Sequence, residues 1–144
     1  MKKLLKKSGF ISTIIIITAM MMVLIYANKT TPNTRFIDTH AKLTSTEFVS
    51  LFDSVNHSNI KNFVDKAIEV KGVLKKMTLT EGVYTLLLTS HQKDRYVLCK
   101  MQNDQNSNIV NLSPGETIVL KGVFKGVLLD AILLNCIIID QNNL

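Results

Sequence analysis

Two strand-like runs, each with a glycine at its centre, constrain the fold more than any other feature of this chain. They cover residues 70–73 and 120–123, and each lies in a longer run, 68–75 and 117–121, in which apolar and polar side chains alternate, as in a strand with one buried face. A glycine inside a strand packs nothing and weakens it, so it usually marks a bulge or a sharp bend. Gly72 and Gly122 therefore predict a small, tightly curved barrel, and valine at either position is expected to destabilise it.

Five strands are predicted after residue 66, with short turns at Glu81-Gly82, at residues 91–94 and at Lys125-Gly126. The connection over residues 102–113 is longer and polar, and fits one short helix or turn. Five strands with a longer connection between the third and the fourth are the plan of an OB-fold barrel. The predicted strands cover residues 67–76, 83–90, 95–101, 116–124 and 128–139.

A helix is predicted to lead into the barrel, with Thr44 or Ser45 as its N-cap and Glu47 in its first turn. A second short helical piece is predicted over residues 59–66. Both are expected to pack against the end of the barrel through their apolar faces. The face of the first helix consists of Phe48, Leu51, Phe52 and Val55.

An apolar segment near the N-terminus is predicted to anchor the chain in a membrane. Residues 10–27 carry no charge, and a helix of that length spans roughly 27 Å, close to the hydrocarbon thickness of a bilayer. The segment is longer than the apolar part of a cleaved signal peptide, which favours an uncleaved signal-anchor over cleavage after Ala27. Four lysines precede it, so the positive-inside rule keeps them in the cytoplasm and exports the rest of the chain. They are Lys2, Lys3, Lys6 and Lys7.

The sequence thus predicts a single-pass protein of the inner membrane whose C-terminal domain lies outside the cytoplasm. Its parts are a cytoplasmic basic tail over residues 1–9, a transmembrane helix over 10–27, a polar tether over 28–43 and the OB-fold domain over 44–144. The net charge of +6 comes mainly from the tail, because from Asn28 onward 13 basic residues face 11 acidic ones. The domain therefore lacks the concentrated basic stripe of a surface that follows phosphates.

The order of motifs from about residue 46 to residue 139 resembles the tRNA anti-like family of bacterial OB-fold proteins. The resemblance implies an OB barrel, often behind a membrane anchor or a signal. The family's name records a distant likeness to anticodon-binding domains and implies no tRNA binding. Met101 stands where the family usually has an aromatic residue, and methionine fills the same core space. The matching motifs are NIKNF at 59–63, KAIEVKGV at 66–73, VLCKM at 97–101, LSPGETIVLKG at 112–122 and GVLLDAILLNC at 126–136.

Cys99 and Cys136 fall on the third and fifth predicted strands, which are neighbours in an OB barrel. An exported domain meets an oxidising compartment, so a disulfide forms if both side chains point to the same side. Isolated cysteines on apolar strands are otherwise small buried side chains. The sequence leaves both arrangements open.

No catalytic residue, metal site or cofactor is predicted. His40, His57 and His91 have no metal-ligand spacing. The sequence also shows no glycine-rich phosphate loop, Ser-His-Asp candidate or paired-carboxylate motif. The chain is therefore not expected to be an enzyme.

The usual ligand surface of an OB barrel is the face of its second and third strands with the adjoining loops. Aromatic side chains interleaved with cations stack on bases and neutralise phosphates of single-stranded nucleic acid. The same residues also fit a plainer arrangement, in which the tyrosines pack in or beside the barrel and the charges are solvated. The candidates are Tyr84, Lys93, Arg95, Tyr96 and Lys100, with Asp94 among them.

The sequence as a whole predicts a non-catalytic binding or interaction module of a bacterial envelope, bound to the membrane through residues 10–27 and open to a protein partner. Two alternatives remain. One is an OB domain that binds single-stranded nucleic acid. The other is a binder of oligosaccharides or small ligands, for which an apolar cleft with convergent polar groups is expected.

Overall fold

The computed structural model describes residues 13–24, 33–53, 60–92 and 94–139. The chain divides into two compact units, Met1–Pro32 and Asn33–Leu144. In the first unit residues 13–24 form a helix, α1, whose side chains are all exposed. Among the described residues no helix has both the length and the hydropathy needed to cross a membrane. The predicted tail and the ends of the predicted anchor lie outside the described residues.

The second unit is mainly β. Helical pieces connect or precede its strands, and one of them, α2, leads into the barrel as predicted. The strands are β1 (Thr39–Thr44), β2 (Ala67–Thr80), β3 (Val83–Thr89), β4 (Tyr96–Met101), β5 (Thr117–Val127) and β6 (Ala131–Ile138). The helices are α2 (Ser45–Asp53), α3 (Ile60–Phe63) and α4 (Asn106–Ile109), with 3-10 turns η1 (Thr34–Phe36) and η2 (Asn103–Gln105).

Five of the strands close into a barrel. β2, β3 and β4 pair antiparallel in succession, β4 pairs in parallel with β6, and β6 pairs antiparallel with β5. β5 returns to β2 in a pairing that runs from Ala67 and Val123 to Val73 and Thr117. This strand order, with η2 and α4 between β4 and β5, confirms the predicted five-stranded OB barrel.

An aromatic cluster joins α2 to the barrel. Phe48 is fully buried, and its ring lies 5.2 Å from that of Phe124 on β5, while Phe52 stacks on Phe124 at 5.0 Å. The helix begins with a capping box: the carboxylate of Glu47 accepts from the amide of Thr44, and the hydroxyl of Thr44 accepts from the amide of Glu47. Of the two predicted N-caps, the structure therefore selects Thr44.

The stretch predicted as a tether contains a sixth strand. β1 pairs in parallel with β2, from Thr39 beside Ala67 to Thr44 beside Lys71. Its side chains alternate between half-buried and exposed positions, but only Ala41 and Leu43 are apolar. Two apolar side chains are too few to distinguish a strand from a polar linker, which is why the tether prediction is wrong over these residues.

The residues just before β1 are also fixed to the barrel. Thr34 is fully buried, and its hydroxyl donates to the carbonyl oxygen of Asn135 over 2.7 Å. The ammonium group of Lys121 donates to the carbonyl oxygen of Ile37. The described part of the predicted tether, from Asn33 onward, is therefore a part of the barrel unit.

The last hairpin turns three residues later than predicted. β5 continues through Gly126, which has a φ of 138° at a shift in the β5–β6 register. The chain turns over residues 128–130, where the amide of Leu128 donates to the carbonyl oxygen of Asp130 over 3.2 Å. Gly126 thus marks a bulge and not the predicted turn. The turn predicted at Glu81-Gly82 is confirmed, with φ values of 52° and 77°.

Gly72 and Gly122 both lie in the β2–β5 pairing that closes the barrel, opposite Ile118 and Ile68. A β-carbon added to Gly72 would lie 2.8 Å from Oγ of Ser45, at the start of α2. One added to Gly122 would lie 2.5 Å from Sγ of Cys136 on β6. At each of these positions a packed side chain inside the barrel occupies the space that a β-carbon would need, which explains the glycine.

Candidate ligand surfaces of the barrel

The outward-facing side chains of β2, β3, β4 and β6 form one continuous surface, which we call the outer face. Its central row runs across the four strands through the register pairs Lys76–Leu87, Leu87–Leu98 and Leu98–Ile132. The neighbouring rows add polar and charged side chains and Tyr96. They are Thr78, Thr85 and Lys100 on one side, and Lys75, Thr89 and Tyr96 on the other.

Alternation along the strands decides which side chains reach this face. Leu86 and Leu88 on β3 are fully buried, so the residues between and beside them point outward. On β4 the side chains of Val97 and Cys99 are fully buried, and Tyr96, Leu98 and Lys100 alternate with them. The two leucines and the isoleucine of the central row are half-buried, and the lysines are exposed.

Tyr96 is paired with a cation on this face. The β2–β3 register shifts between Leu74 and Lys76, which makes Lys75 the extra residue of a bulge. The ammonium nitrogen of Lys75 lies 4.0 Å from the centroid of the Tyr96 ring, and it also donates to the phenolic oxygen. This is a cation–π contact, so one face of the ring is already covered.

The structure separates the residues that the sequence predicts as a ligand site. Tyr84 points to the same side of β3 as Leu86 and Leu88 and packs against the core, so it does not share a face with Tyr96. Arg95 is half-buried in the loop before β4, where the hydroxyl of Ser90 donates to its carbonyl oxygen over 2.6 Å. Lys93 lies outside the described residues. Tyr96 and Lys100 do lie on the outer face.

Sequence reasoning missed most of the outer face. Lys75, Lys76, Leu87, Leu98 and Ile132 all belong to it. The period-two pattern of β4 was a usable signal for Leu98. No equivalent signal existed on β3, because Leu86, Leu87 and Leu88 are consecutive and do not reveal which parity is buried.

The two cysteines are free thiols, both fully buried. Burial, with the hydrogen bond and charge of the adjacent Cys99, raises the pKa of the Cys136 thiol well above its usual range. The structure therefore brings the two cysteines together, as expected for strands three and five of the barrel.

The histidines within the described residues take part in local contacts. Nδ1 of His91 lies 2.7 Å from the hydroxyl oxygen of Thr46. The ring of His40 meets that of Phe63 edge to face at 5.6 Å. No group of three His, Cys, Asp or Glu side chains in the described part of the chain is arranged to hold a metal ion.

A groove of about 500 Å³ lies between α4, the start of β5, the end of β6 and η1. Its lining combines apolar side chains with amides, hydroxyls, a guanidinium and a carboxylate. Small-ligand sites are mostly apolar with a few polar groups, whereas the exposed lining of this groove is mainly polar. The apolar residues are Leu112, Ile118, Val119, Ile138 and Ile139, and the polar ones are Arg35, Ser107, Asn108, Asn111, Glu116 and Thr117.

One solved structure shares this fold at low sequence identity, and two others resemble it more weakly. A lipoprotein of Klebsiella pneumoniae, for which nucleic-acid binding is itself only proposed, has a TM-score of 0.59 at 15% identity, covering 68% of this chain and 91% of that chain. The S. pombe Stn1-Ten1 complex has 0.41 at 13% identity, covering 54% and 60%. An OBody bound to hen egg-white lysozyme has 0.43 at 12% identity, covering 55% and 86%.

At 15% identity the likeness to the Klebsiella lipoprotein concerns the fold alone. No curated protein matches the chain. The sequence profile of the tRNA_anti-like family matches residues 1–138, which is nearly the whole chain. The protein is therefore a member of the tRNA_anti-like family.

Proposed function

We propose that this chain is a membrane-anchored, extracytoplasmic binding module of a bacterial envelope without catalytic activity. Its outer face is proposed to bind an extended protein segment that carries apolar side chains at alternate positions and an acidic side chain at the next position on the same side. The observation that supports this most directly is the row of half-buried apolar side chains on the outer face, with lysines beside it.

The chemistry of the outer face fits such a segment. Leu87, Leu98 and Ile132 offer a continuous apolar strip, and Lys76 and Lys100 lie at its margins. The central row and its two neighbouring rows include no acidic residue; Glu69, farther along β2, is paired with Lys42, and the carboxylate of Asp130 accepts from the amide of Tyr96. An extended chain places every second side chain on the same side, so apolar residues at those positions can contact the strip and a carboxylate at the next such position can meet Lys76 at the end of the row. Such rim charges govern the association rate and the specificity more than the affinity.

The anchor is supported by the N-terminal residues. The described part of the apolar segment, residues 13–24, is helical with exposed apolar side chains all round, a pattern that suits lipid better than water. The hydroxyl of Thr18 donates within the helix to the carbonyl oxygens of Ile14 and Ile15, so it needs no partner from outside. The four preceding lysines favour export of the barrel.

A binding role without catalysis is supported by the state of the nucleophiles and bases. The raised pKa of Cys136 disfavours the thiolate that a reactive cysteine needs. The ring of His91 is hydrogen-bonded to Thr46 at the start of α2. Neither the thiol of Cys136 nor the ring of His91 belongs to the outer face.

A second candidate function is the binding of single-stranded nucleic acid. The lysines of the outer face, Tyr96, and the proposed nucleic-acid binding of the Klebsiella lipoprotein favour it. It requires bases to stack on aromatic side chains, and here Lys75 covers one face of Tyr96 while Tyr84 packs against the core. We therefore rank it second.

Fluorescence anisotropy with the full-length chain in lipid nanodiscs tests both candidates. The probes are a labelled peptide with glutamate and two leucines at successive alternate positions and serine between them, the same peptide with glutamine for glutamate, and labelled oligothymidylate. We expect the glutamate peptide to bind best and Leu98→Ala to weaken it by roughly tenfold. The matched control Leu79→Ala, exposed but outside the face, should leave binding unchanged.

Two results would change this assignment. Salt-sensitive binding of oligothymidylate that is lost in Tyr96→Leu would favour the second candidate. If neither the peptide nor the oligonucleotide binds at low salt, the outer face is not a ligand surface of either kind.

A further inference from the structure

We propose that the turn between β5 and β6 inserts into a lipid bilayer through Leu128 and Leu129. We call residues 128–130 the leucine turn. The inference rests on the proposed membrane anchor and adds a second contact with the same membrane, one that would set the orientation of the barrel at its surface.

The exposure of the leucine turn is unusual. Leu128 is 87% exposed and Leu129 is 70% exposed. Within the described barrel unit they are the one pair of consecutive large apolar side chains exposed to this degree, whereas Phe36, Leu79 and Val110 are single. Isolated apolar side chains on a surface are ordinary, but an adjacent pair at a hairpin tip favours burial in an apolar phase.

The leucine turn is held in shape by hydrogen bonds. The amide of Leu128 donates to the carbonyl oxygen of Asp130 over 3.2 Å, and the carboxylate of Asp130 accepts from the amide of Tyr96 over 3.0 Å. The turn is thereby fixed to the start of β4. The two leucines project from an ordered base, so little conformational freedom remains to be lost when they are buried.

The residues at this base have the chemistry of a membrane interface. Tyr96 is bonded to the turn through its amide, and the ammonium group of Lys75 lies over its ring. Tyrosine is enriched at the level of lipid headgroups, and a lysine close to the surface is attracted by anionic lipids. The leucines at the tip would thus lie among the acyl chains, and the tyrosine and the lysine behind them would lie at the level of the headgroups.

The length of chain before the barrel indicates a bilayer, and not a protein pocket, as the occupant. Residues 28–32 are all that separate the end of the predicted anchor from Asn33, and this chain spans at most about 20 Å when extended. Thr34 is bonded to Asn135, four residues along β6 from Ala131 beside the leucine turn, or roughly 13 Å of strand. An anchored barrel therefore keeps the leucine turn within reach of the membrane surface.

The absence of tryptophan from the sequence gives a direct test. Leu129→Trp in the full-length chain introduces a single fluorophore at the leucine turn. The protein is reconstituted into vesicles of phosphatidylcholine and phosphatidylglycerol, with and without brominated acyl chains. We expect a blue-shifted emission that brominated lipid quenches roughly twofold or more. Leu79→Trp, at an exposed apolar position on the other hairpin, should emit as in water and show little quenching.

Flotation of the same vesicles measures membrane attachment of the chain and so tests the anchor separately. If the chain floats with the vesicles and Leu129→Trp is not quenched, the inference is overturned and the anchor stands. Equal quenching of Leu129→Trp and Leu79→Trp also overturns it, because the contact would then not be specific to the leucine turn. If the chain does not float, the anchor fails and the inference falls with it.

Discussion

At the scale of single residues, β2 and β5, the strands that close the barrel, each carry a glycine where a neighbouring side chain occupies the space of a β-carbon. Gly72 lies under Ser45, whose hydroxyl donates to the carbonyl oxygen of Thr89, so the start of α2 is fixed directly above this glycine. Gly122 lies under the thiol of Cys136, and a β-carbon added there would also lie 3.1 Å from the β-carbon of Leu133. A side chain at either position would have to displace a packed neighbour, because protein interiors have few voids.

Gly122→Ala is expected to lower the free energy of unfolding by about 1–3 kcal/mol through overpacking against Cys136. Urea denaturation of the detergent-solubilised chain measures this cost. In a Cys136→Ala background the sulfur is gone, so the cost should shrink by at least about 0.5 kcal/mol. Gly72→Ala is the matched control, since its obstacle is Ser45 and its cost should not depend on Cys136. An equal cost of Gly122→Ala in both backgrounds would contradict the contact with the sulfur.

The buried thiol of Cys136 predicts a loss of stability in alkali. Its pKa is raised in the folded state, so above about pH 8.5 the unfolded chain releases this proton while the folded chain retains it. The free energy of unfolding should therefore fall with rising pH, by up to about 1.4 kcal/mol per pH unit, until the folded pKa is passed.

Urea titrations between about pH 8 and pH 10 compare this slope with that of Cys136→Ala. We expect a shallower slope in the variant, whatever its stability at neutral pH. Parallel slopes would show that Cys136 does not titrate differently in the folded and unfolded chains.

At the scale of elements, the edge strand β1 is supported by hydrogen bonds from outside its own strand pairing. Among the described strands, β1 pairs with β2 alone and forms one edge of the sheet. The residues before it are bonded to β5 and β6 through Lys121 and Thr34. A salt bridge of 3.3 Å between Lys42 and Glu69 adds a side-chain contact to β2; because Lys42 is exposed, this pair contributes little.

Lys121→Met should loosen β1 and leave the barrel intact. Methionine keeps the apolar stem but leaves the carbonyl oxygen of Ile37 without its donor, at a cost of about 1–3 kcal/mol. Hydrogen exchange should accelerate at residues 39–44 and stay slow at residues 96–101 of β4. Lys76→Met, at an exposed lysine of β2 outside the β1 pairing, is the matched control. Unchanged exchange of β1 in Lys121→Met would show that the bond to Ile37 does not hold this strand.

At the scale of the whole molecule, the proposed topology makes a prediction about both ends of the chain. A reporter that is active only in the cytoplasm, fused after Leu144, should be silent, because four lysines before an uncharged run of eighteen residues favour export of the C-terminal domain. Replacing Lys2, Lys3, Lys6 and Lys7 with asparagine should give the reporter partial activity at equal expression of the fusion. Full activity of the unaltered fusion would reject the topology.

Local patterns in the sequence predicted much of the barrel. The alternation of β2 and β4, the turn at Glu81-Gly82 and the polar connection after β4 depend on side chains close in sequence, and the structure has each of them. The capping box of Thr44 and Glu47 is equally local. Backbone preference and side-chain period act over a few residues, so such features are readable without the fold.

The sequence by itself determined a five-stranded barrel with a leading helix and the family to which it belongs. Tertiary structure alone decided that β1 joins the sheet, that Tyr84 and Tyr96 point to opposite sides, and that the last hairpin turns at the leucine turn. The physical reason is the period of a strand: one extra residue, as at Lys75 or Lys125, inverts the faces of the residues after it. The position of a bulge is set by the pairing of its strand with neighbouring strands, and these contacts are between residues far apart in the sequence.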